Sequence, residues 1–261
     1  MRKIGIFLHA IKLPDEEYIN IIADQGFCAT FTVMMEKKRH VRVAELLAKK
    51  GIEYETIHAP FGHINDMWLD CEGGETMYQE LTDCIDCCVL SGAPIMVVHL
   101  SSGQNPPPVT DIGRERFTKL VEYAGRKNIR IAFENQRMLS NVAWAMESFG
   151  EDAPVGFCWD CGHEACFTPG TEYMQMFGKR LICTHIHDNF GVYNQDDHLI
   201  PFDGVMDYKR VAEHIRNSGF TGSLMLELAA KKSHIYDEMP AEVYLERAAS
   251  AAKRLAALVD G

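Results

Sequence analysis

Short apolar runs and longer amphipathic segments alternate along the whole chain. Apolar runs of strand length occupy residues 3–9, 27–34, 52–57, 95–98, 129–134, 155–160, 181–185 and 223–227. Between these runs, apolar residues recur at spacings of three and four, as at Phe117, Leu120 and Val121, which is the period of a helix. Several of the amphipathic segments end at a glycine just before the next run, as at Gly92. The pattern predicts eight β-strands, each followed by a helical segment. After the sixth strand, the polar stretch 160–163 is expected to form a loop before the next helical segment.

The apolar runs are nearly continuous rather than alternating, which is typical of parallel strands that are buried on both faces. Eight strand–helix units in succession predict an α/β protein with the architecture of a (β/α)8 TIM barrel. The chain has 261 residues, a length that such barrels commonly occupy as one domain. We therefore expect a single domain over residues 1–261, with its functional site at the C-terminal ends of the strands.

Each of the last four predicted strands ends in a side chain that can ligate a metal ion. These residues are Glu134, Asp160, His185 and Glu227. Adjacent parallel strands lie about 4.8 Å apart, so inward-pointing side chains from four neighbours can converge on one ion. Three carboxylates and one imidazole favour Mn²⁺, are compatible with Mg²⁺, Co²⁺ or Zn²⁺, and leave coordination positions for substrate oxygens. We expect one divalent ion at this place.

Further polar residues fall at the same end of the predicted barrel: His58, His99, His163, Asp196 and His198. Asp196 and His198 lie in a long polar loop after the seventh strand, and they are candidate ligands for an additional metal. By strand alternation, His187 points to the same face as His185. His185 is the preferred ligand because it stands at the end of the apolar run.

Charge and composition narrow the range of partners. Lys and Arg number 26 against 37 Asp and Glu, which gives a net charge of −11. Such a surface repels nucleic-acid phosphates and anionic membranes, so neither is an expected partner. The acidic loops contain no cluster of Arg and Lys for a phosphate, which favours an unphosphorylated polyol or keto-sugar as the substrate. The nine cysteines lie within predicted helices and strands, and no signal peptide or membrane-length run is evident, so a cytoplasmic protein with reduced thiols is expected.

Six motifs occur at these strand ends: HAPF at 58–61, VVH at 97–99, FEN at 133–135, WDCGH at 159–163, HIHDN at 185–189 and LEL at 226–228. In combination they resemble the xylose-isomerase-like TIM barrel superfamily, which includes sugar isomerases, ketose 3-epimerases and endonuclease IV-like nucleases. The resemblance implies a metal-dependent isomerase or epimerase of a sugar or keto-polyol, in which Glu134 and Glu227 act as acid and base around an enediolate. The substrate-binding residues that it implies are His163, His58, His99, Trp68 and Asp188, with Trp68, Phe61 or Tyr193 as alternatives for an apolar wall over the sugar. Homo-oligomers are common among such relatives, but no residue of this chain fixes an oligomeric state.

Two positions depart from the ketose 3-epimerase pattern. Ser140 and Gly191 stand where that pattern has a glutamate and an arginine. The departure argues against 3-epimerisation of a free ketose, although not against isomerase-type proton transfer.

A hydrolytic alternative also remains open. Nine residues match, by type and order, the trinuclear zinc set of the endonuclease IV branch, which hydrolyses phosphate esters. They are His58, His99, Glu134, Asp160, His163, His185, Asp196, His198 and Glu227. The net charge of −11 argues against DNA as the substrate of such a hydrolase.

Overall fold

The computed structural model describes residues 2–261, and its strands coincide with the eight predicted apolar runs. The strands are β1 (Ile4–Phe7), β2 (Ala29–Val33), β3 (Glu53–His58), β4 (Ile95–His99), β5 (Arg130–Glu134), β6 (Val155–Asp160), β7 (Leu181–His185) and β8 (Leu224–Leu226).

All the strands pair in parallel, in the order β7-β6-β5-β4-β3-β2-β1-β8. A parallel bridge between Ile186 and Leu226 joins the two ends of this sheet, so the barrel is nearly closed. The predicted (β/α)8 TIM barrel is therefore confirmed.

Nine α-helices within residues 2–261 surround the barrel: α1 (Asp15–Asp24), α2 (Lys37–Lys50), α3 (Glu72–Ser91), α4 (Asp111–Arg126), α5 (Leu139–Ser148), α6 (Cys161–Phe167), α7 (Tyr173–Phe177), α8 (Tyr208–Ser218) and α9 (Ala241–Asp260). Helix α6 begins directly after β6, where a loop was expected. The Asp160 carboxylate accepts a hydrogen bond from the His163 N–H at 2.6 Å and so caps this helix. None of the described helices combines the length and the apolar character needed to cross a lipid bilayer.

The interior of the barrel is filled by small and apolar side chains directly beneath the strand ends. Val97, Ala132, Cys158 and Cys183 form one buried cluster on β4 to β7. Each stands two residues before the polar residue that ends its strand, so strand alternation places both on the same inner face. A much larger apolar cluster lies between the barrel and the helices. The polar strand ends therefore rest on a packed apolar layer.

Candidate active site

Four side chains from β5, β6, β7 and the residue after β8 meet at the C-terminal end of the barrel. Ligating atoms of Glu134, Asp160, His185 and Glu227 lie within 4.8 Å of one another. Nδ1 of His185 is 3.0 Å from Oε2 of Glu134 and 3.2 Å from Oε2 of Glu227. The structure thus brings together the four residues that the sequence assigned to one ion.

A second group adjoins the first through the shared carboxylate of Glu134. Nε2 of His58 lies 3.4 Å from Oε2 of Glu134, and Nε2 of His99 lies 3.3 Å from its Oε1. The two Nε2 atoms are 3.1 Å apart. Because two imidazole nitrogens and a carboxylate face one another at these distances, the group has the donor set of a cation site.

A third group contains His163, His187, Asp196 and His198, and its ligating atoms also lie within 4.8 Å of one another. Nε2 of His198 is 2.7 Å from Asp196 Oδ2, and Nε2 of His187 is 3.6 Å from Asp196 Oδ1. The rings of His187 and His198 stack with centroids 4.1 Å apart. His198 has a φ of 49°, a left-handed conformation that costs energy for a residue with a side chain and that concentrates at functional sites.

Several buried polar atoms in these groups form no hydrogen bond of acceptable angle with any described residue, even where two of them are close, as His185 Nδ1 and Glu134 Oε2 are. They include both ring nitrogens of His185, Oε2 of Glu134 and Glu227, and Oδ1 of Asp196. An unpaired buried polar atom costs free energy, so a folded chain rarely collects several in one place without a ligand. A divalent cation would satisfy these atoms, and the residues present therefore fit one.

Mutual electrostatic interactions shift the pKa values of the two central residues. Burial raises the pKa of Glu134, but His99, His185 and His163 outweigh it and hold that pKa well below its ordinary value. Burial lowers the pKa of His185, but Cys158, Glu227 and Glu134 outweigh it and hold that pKa well above its ordinary value. The Glu134 carboxylate is therefore ionised at neutral pH, and a cation would replace the imidazolium proton as its counter-charge.

The sequence reasoning missed three polar residues that support the site. Asn135 pairs with the backbone of Asp160 through two hydrogen bonds of 2.8 Å, which fixes the end of β6 against β5. Nε2 of Gln136 lies 3.1 Å from Glu134 Oε1 and 2.9 Å from His163 Nδ1. His187, set aside in favour of His185, lies 3.1 Å from Asp160 Oδ1. The FEN motif gave a signal for Asn135, whereas no pattern in the sequence marked Gln136.

The expected role of Trp68 does not fit its position. Its side chain is 1% exposed, and Nε1 donates a hydrogen bond to the Leu100 carbonyl at 2.6 Å. Its ring packs against Phe117 and Trp144 between the barrel and the helices. Trp68 is therefore a core residue. Phe61, whose ring centroid lies 4.4 Å from that of His99, provides the apolar wall of the cavity instead.

Asp188 also faces away from the cavity. Its Oδ1 accepts hydrogen bonds from the N–H groups of Asn189 and Met206, and its Oδ2 accepts one from the Phe202 N–H. A Cβ at Gly204 would lie 2.4 Å from this carboxylate, so the loop can close over Asp188 only with glycine there. Asp188 shapes the loop that presents Asp196 and His198 rather than contacting a substrate.

A cavity of about 1160 Å³ opens above these groups. Six residues that the sequence assigned to the site line it: His58, His99, His163, Asp196, His198 and Glu227. Phe61 and Phe167 add apolar surface to its wall. A concave site with a few converging polar groups and aromatic walls suits a small polar ligand.

Comparisons with known proteins agree with this architecture. A D-psicose 3-epimerase from Clostridium cellulolyticum, solved with D-tagatose, superposes with a TM-score of 0.80 at 13% identity and covers 98% of this chain and 99% of its own. A 3-keto-D-glucoside 4-epimerase from E. coli superposes with a TM-score of 0.75 at 18% identity and covers 97% and 100%.

An uncharacterised protein of Sinorhizobium fredii, y4fM, is 30% identical over 189 residues, which is 67% of this chain. The match spans only 58% of that relative's own length. The profile of the xylose isomerase-like TIM barrel family matches residues 17–255. Because this match covers nearly the whole barrel, the chain belongs to the xylose isomerase-like TIM barrel family.

Proposed function

We propose that the protein is a divalent-metal-dependent isomerase or epimerase that acts on a sugar or keto-polyol. The observation that carries this proposal is the meeting of Glu134 and Glu227 with Asp160 and His185 at the C-terminal end of the barrel, where Glu227 lines a ligand-sized cavity. Two carboxylates that reach one site from different strands can remove a proton from a carbon and return it.

Glu134, Asp160, His185 and Glu227 would hold the ion, with Mn²⁺ as the favoured occupant. When bound, the ion supplies positive charge that stabilises the enediolate formed by proton removal. Glu134 and Glu227 approach from β5 and from the residue after β8. Glu227 lines the cavity, and Glu134 lies buried beside it. His163 lines the cavity beside Glu134, where it can donate a hydrogen bond to a substrate hydroxyl.

The relatives support proton transfer at a carbon, and two residues narrow the reaction. The names of the two structural relatives describe epimerases of a ketose and of a keto-glucoside. Ser140 is exposed on α5, and Gly191 has no side chain with which to hold a substrate. The absence of a glutamate and an arginine at these positions favours a reaction other than the 3-epimerisation of a free ketose.

Incubation of the metal-loaded protein in D₂O with a panel of sugars and keto-polyols tests the proposal. We expect deuterium at the carbon next to the carbonyl, detected by NMR. Glu134→Gln and Glu227→Gln should each reduce this exchange by about 10²-fold or more, because each removes an acid or base and leaves its shape. Glu45→Gln, on the exposed face of α2, removes one carboxylate outside the cavity and is the matched control. Exchange that persists in either site variant would refute the acid–base assignment.

The adjacency of three ligand groups supports a second candidate function, the hydrolysis of phosphate esters. Two or three clustered cations stabilise the attacking and leaving oxygens of such a reaction. Metal analysis of the purified protein separates the candidates, since one ion per chain favours proton transfer and two or three zinc ions favour hydrolysis. His198→Ala should abolish turnover by a trinuclear hydrolase, measured with bis-p-nitrophenyl phosphate, but not proton transfer at a single ion.

A further inference from the structure

The mouth of the cavity carries cationic side chains that are widely separated in the sequence: Lys12, Arg39, Arg137, Lys231 and Lys232. Lys12 follows β1, Arg39 belongs to α2, Arg137 follows β5, and the two other lysines follow β8. The chain as a whole has a net charge of −11. The mouth of this cavity is therefore locally more basic than the acidic chain as a whole.

Two of these cations are already paired. Arg39 donates hydrogen bonds of 3.0 and 2.7 Å to the two carboxylate oxygens of Asp15. Nζ of Lys232 lies 2.8 Å from Oδ2 of Asp196. By contrast, Lys12 and Lys231 are exposed and form no ion pair with any residue between 2 and 261. Their charges are available to a ligand.

Arg137 is held in place but has no carboxylate partner in the described part of the chain. Its Nε donates a hydrogen bond to Oδ1 of Asn194 at 3.0 Å. Its guanidinium carbon lies 3.4 Å from the ring centroid of Phe167. These two contacts fix the guanidinium plane, while both Nη groups donate to no described residue. A fixed guanidinium with free Nη groups is the arrangement that binds a carboxylate or phosphate through two hydrogen bonds.

Arg137 lies near the residues that we propose transfer the proton. Phe167, which it contacts, stacks on His163 with ring centroids 4.8 Å apart. Nδ1 of His163 lies 2.9 Å from Oε1 of Glu134. A substrate whose reacting carbons lie beside Glu134 would therefore extend its remote end towards Arg137. A neutral hydroxyl there would leave the half-buried charge of Arg137 without a counter-ion, whereas an anionic group would neutralise it.

We propose that the substrate carries an anionic group, a carboxylate or a phosphate, at the end remote from its reacting carbons, and that the Nη groups of Arg137 bind it. Lys12 and Lys231, across the mouth, raise the local concentration of such a ligand. This inference rests on the proposed isomerase or epimerase function and differs from the expectation of an unphosphorylated substrate in allowing a phosphate. The cations on which it rests are scattered along the chain and meet only in the folded barrel.

Calorimetric titration of the metal-loaded protein with sorbitol, gluconate and sorbitol 6-phosphate tests the inference. The three probes share a six-carbon polyol chain and differ in the group at one end, and none has a carbonyl to isomerise. We expect at least one anion to bind about tenfold more tightly than sorbitol, as a charge-assisted hydrogen-bond pair provides. The stronger of the two anions identifies the group as a carboxylate or a phosphate.

Arg137→Gln should remove this preference. Arg42→Gln changes the net charge equally on the exposed face of α2, outside the cavity, and should preserve it. Equal binding of all three probes, no binding of either anion, or a preference that survives Arg137→Gln would overturn the inference. The last result would mean that the anion binds the metal instead. Because the probes do not react, these outcomes are separate from deuterium exchange, whose absence would count against the proposed function.

Discussion

Glu55, at the irregular part of β3, provides a quantitative test of the structure. The pairing of β2 with β3 shifts register between Thr30 and Phe31, so that Glu55 is skipped between Tyr54 and Thr56. Glu55 is half-buried, and negative charge on Cys183 of the barrel interior adds to the effect of burial on its carboxyl group. Burial raises the pKa of Glu55 from its ordinary value of 4.5 to about 7.

The direction of the effect on stability follows from proton binding. Between about pH 4.5 and pH 7 the unfolded chain has released the Glu55 proton while the folded protein retains it. The folded protein then binds more protons, so the free energy of unfolding falls as the pH rises through this range. Each pKa unit corresponds to about 1.36 kcal/mol, so the shift from 4.5 to about 7 predicts a loss of roughly 3 kcal/mol.

Glu55→Gln isolates this contribution, because the amide does not titrate while other groups titrate equally in both proteins. We expect the free energy of unfolding of the variant, relative to the wild type, to increase by roughly 3 kcal/mol between pH 4.5 and pH 8. Urea denaturation followed by circular dichroism at half-unit pH steps measures it. Glu45→Gln, on the exposed face of α2, is the control and should give a flat difference. A flat or decreasing difference for Glu55→Gln would refute the burial of this carboxyl group.

Three further substitutions test the assignments in and around the site. Asp160→Asn should weaken metal affinity by about tenfold or more because it removes a charged ligand, and metal analysis after dialysis against a chelator measures this. Asp188→Asn should lower the free energy of unfolding by roughly 1–3 kcal/mol, since one amide oxygen cannot replace two carboxylate oxygens that accept three N–H groups. Trp68→Phe should lower stability by a similar 1–3 kcal/mol, roughly, through loss of its hydrogen bond to Leu100, and should leave KM unchanged. A raised KM with unchanged stability of the Trp68→Phe variant would show that Trp68 contacts the substrate.

The barrel was predictable because parallel strands leave a strong mark in the sequence. A strand buried on both faces must be apolar throughout, so β4 and β6 appear as unbroken runs that end in a polar residue. The loop predicted after β6 was wrong for a local reason. Asp160 ends the strand and caps α6 at the same time, and a sequence with Cys161 and Gly162 after an aspartate is equally typical of a turn.

Predictions for the site succeeded where one strand position decided the outcome and failed where packing between distant segments decided it. Glu134 and His185 meet because each is the last residue of its strand and its side chain points into the barrel. Trp68 was misplaced because its segment also contains the polar residues His63, Asn65 and Asp66. In the structure, the 3₁₀ helix Ile64–Trp68 turns the indole onto α4. A Cβ at Gly113 of α4 would lie 2.0 Å from the Trp68 ring, so this contact depends on a glycine more than 40 residues away.

The net charge of the chain is a poor guide to the ligand for a physical reason. At physiological ionic strength the interaction between exposed charges is screened over about 8 Å. Most of the charged side chains that contribute to the net charge of −11 therefore lie too far from the cavity to act on a bound molecule. A ligand at the mouth responds mainly to Arg137, Lys12 and Lys231, and these are positive. Distant repulsion affects how often an anion arrives, whereas nearby cations decide how long it stays. An acidic protein can therefore select an anionic substrate, provided that its fold gathers the few unpaired cations at the entrance.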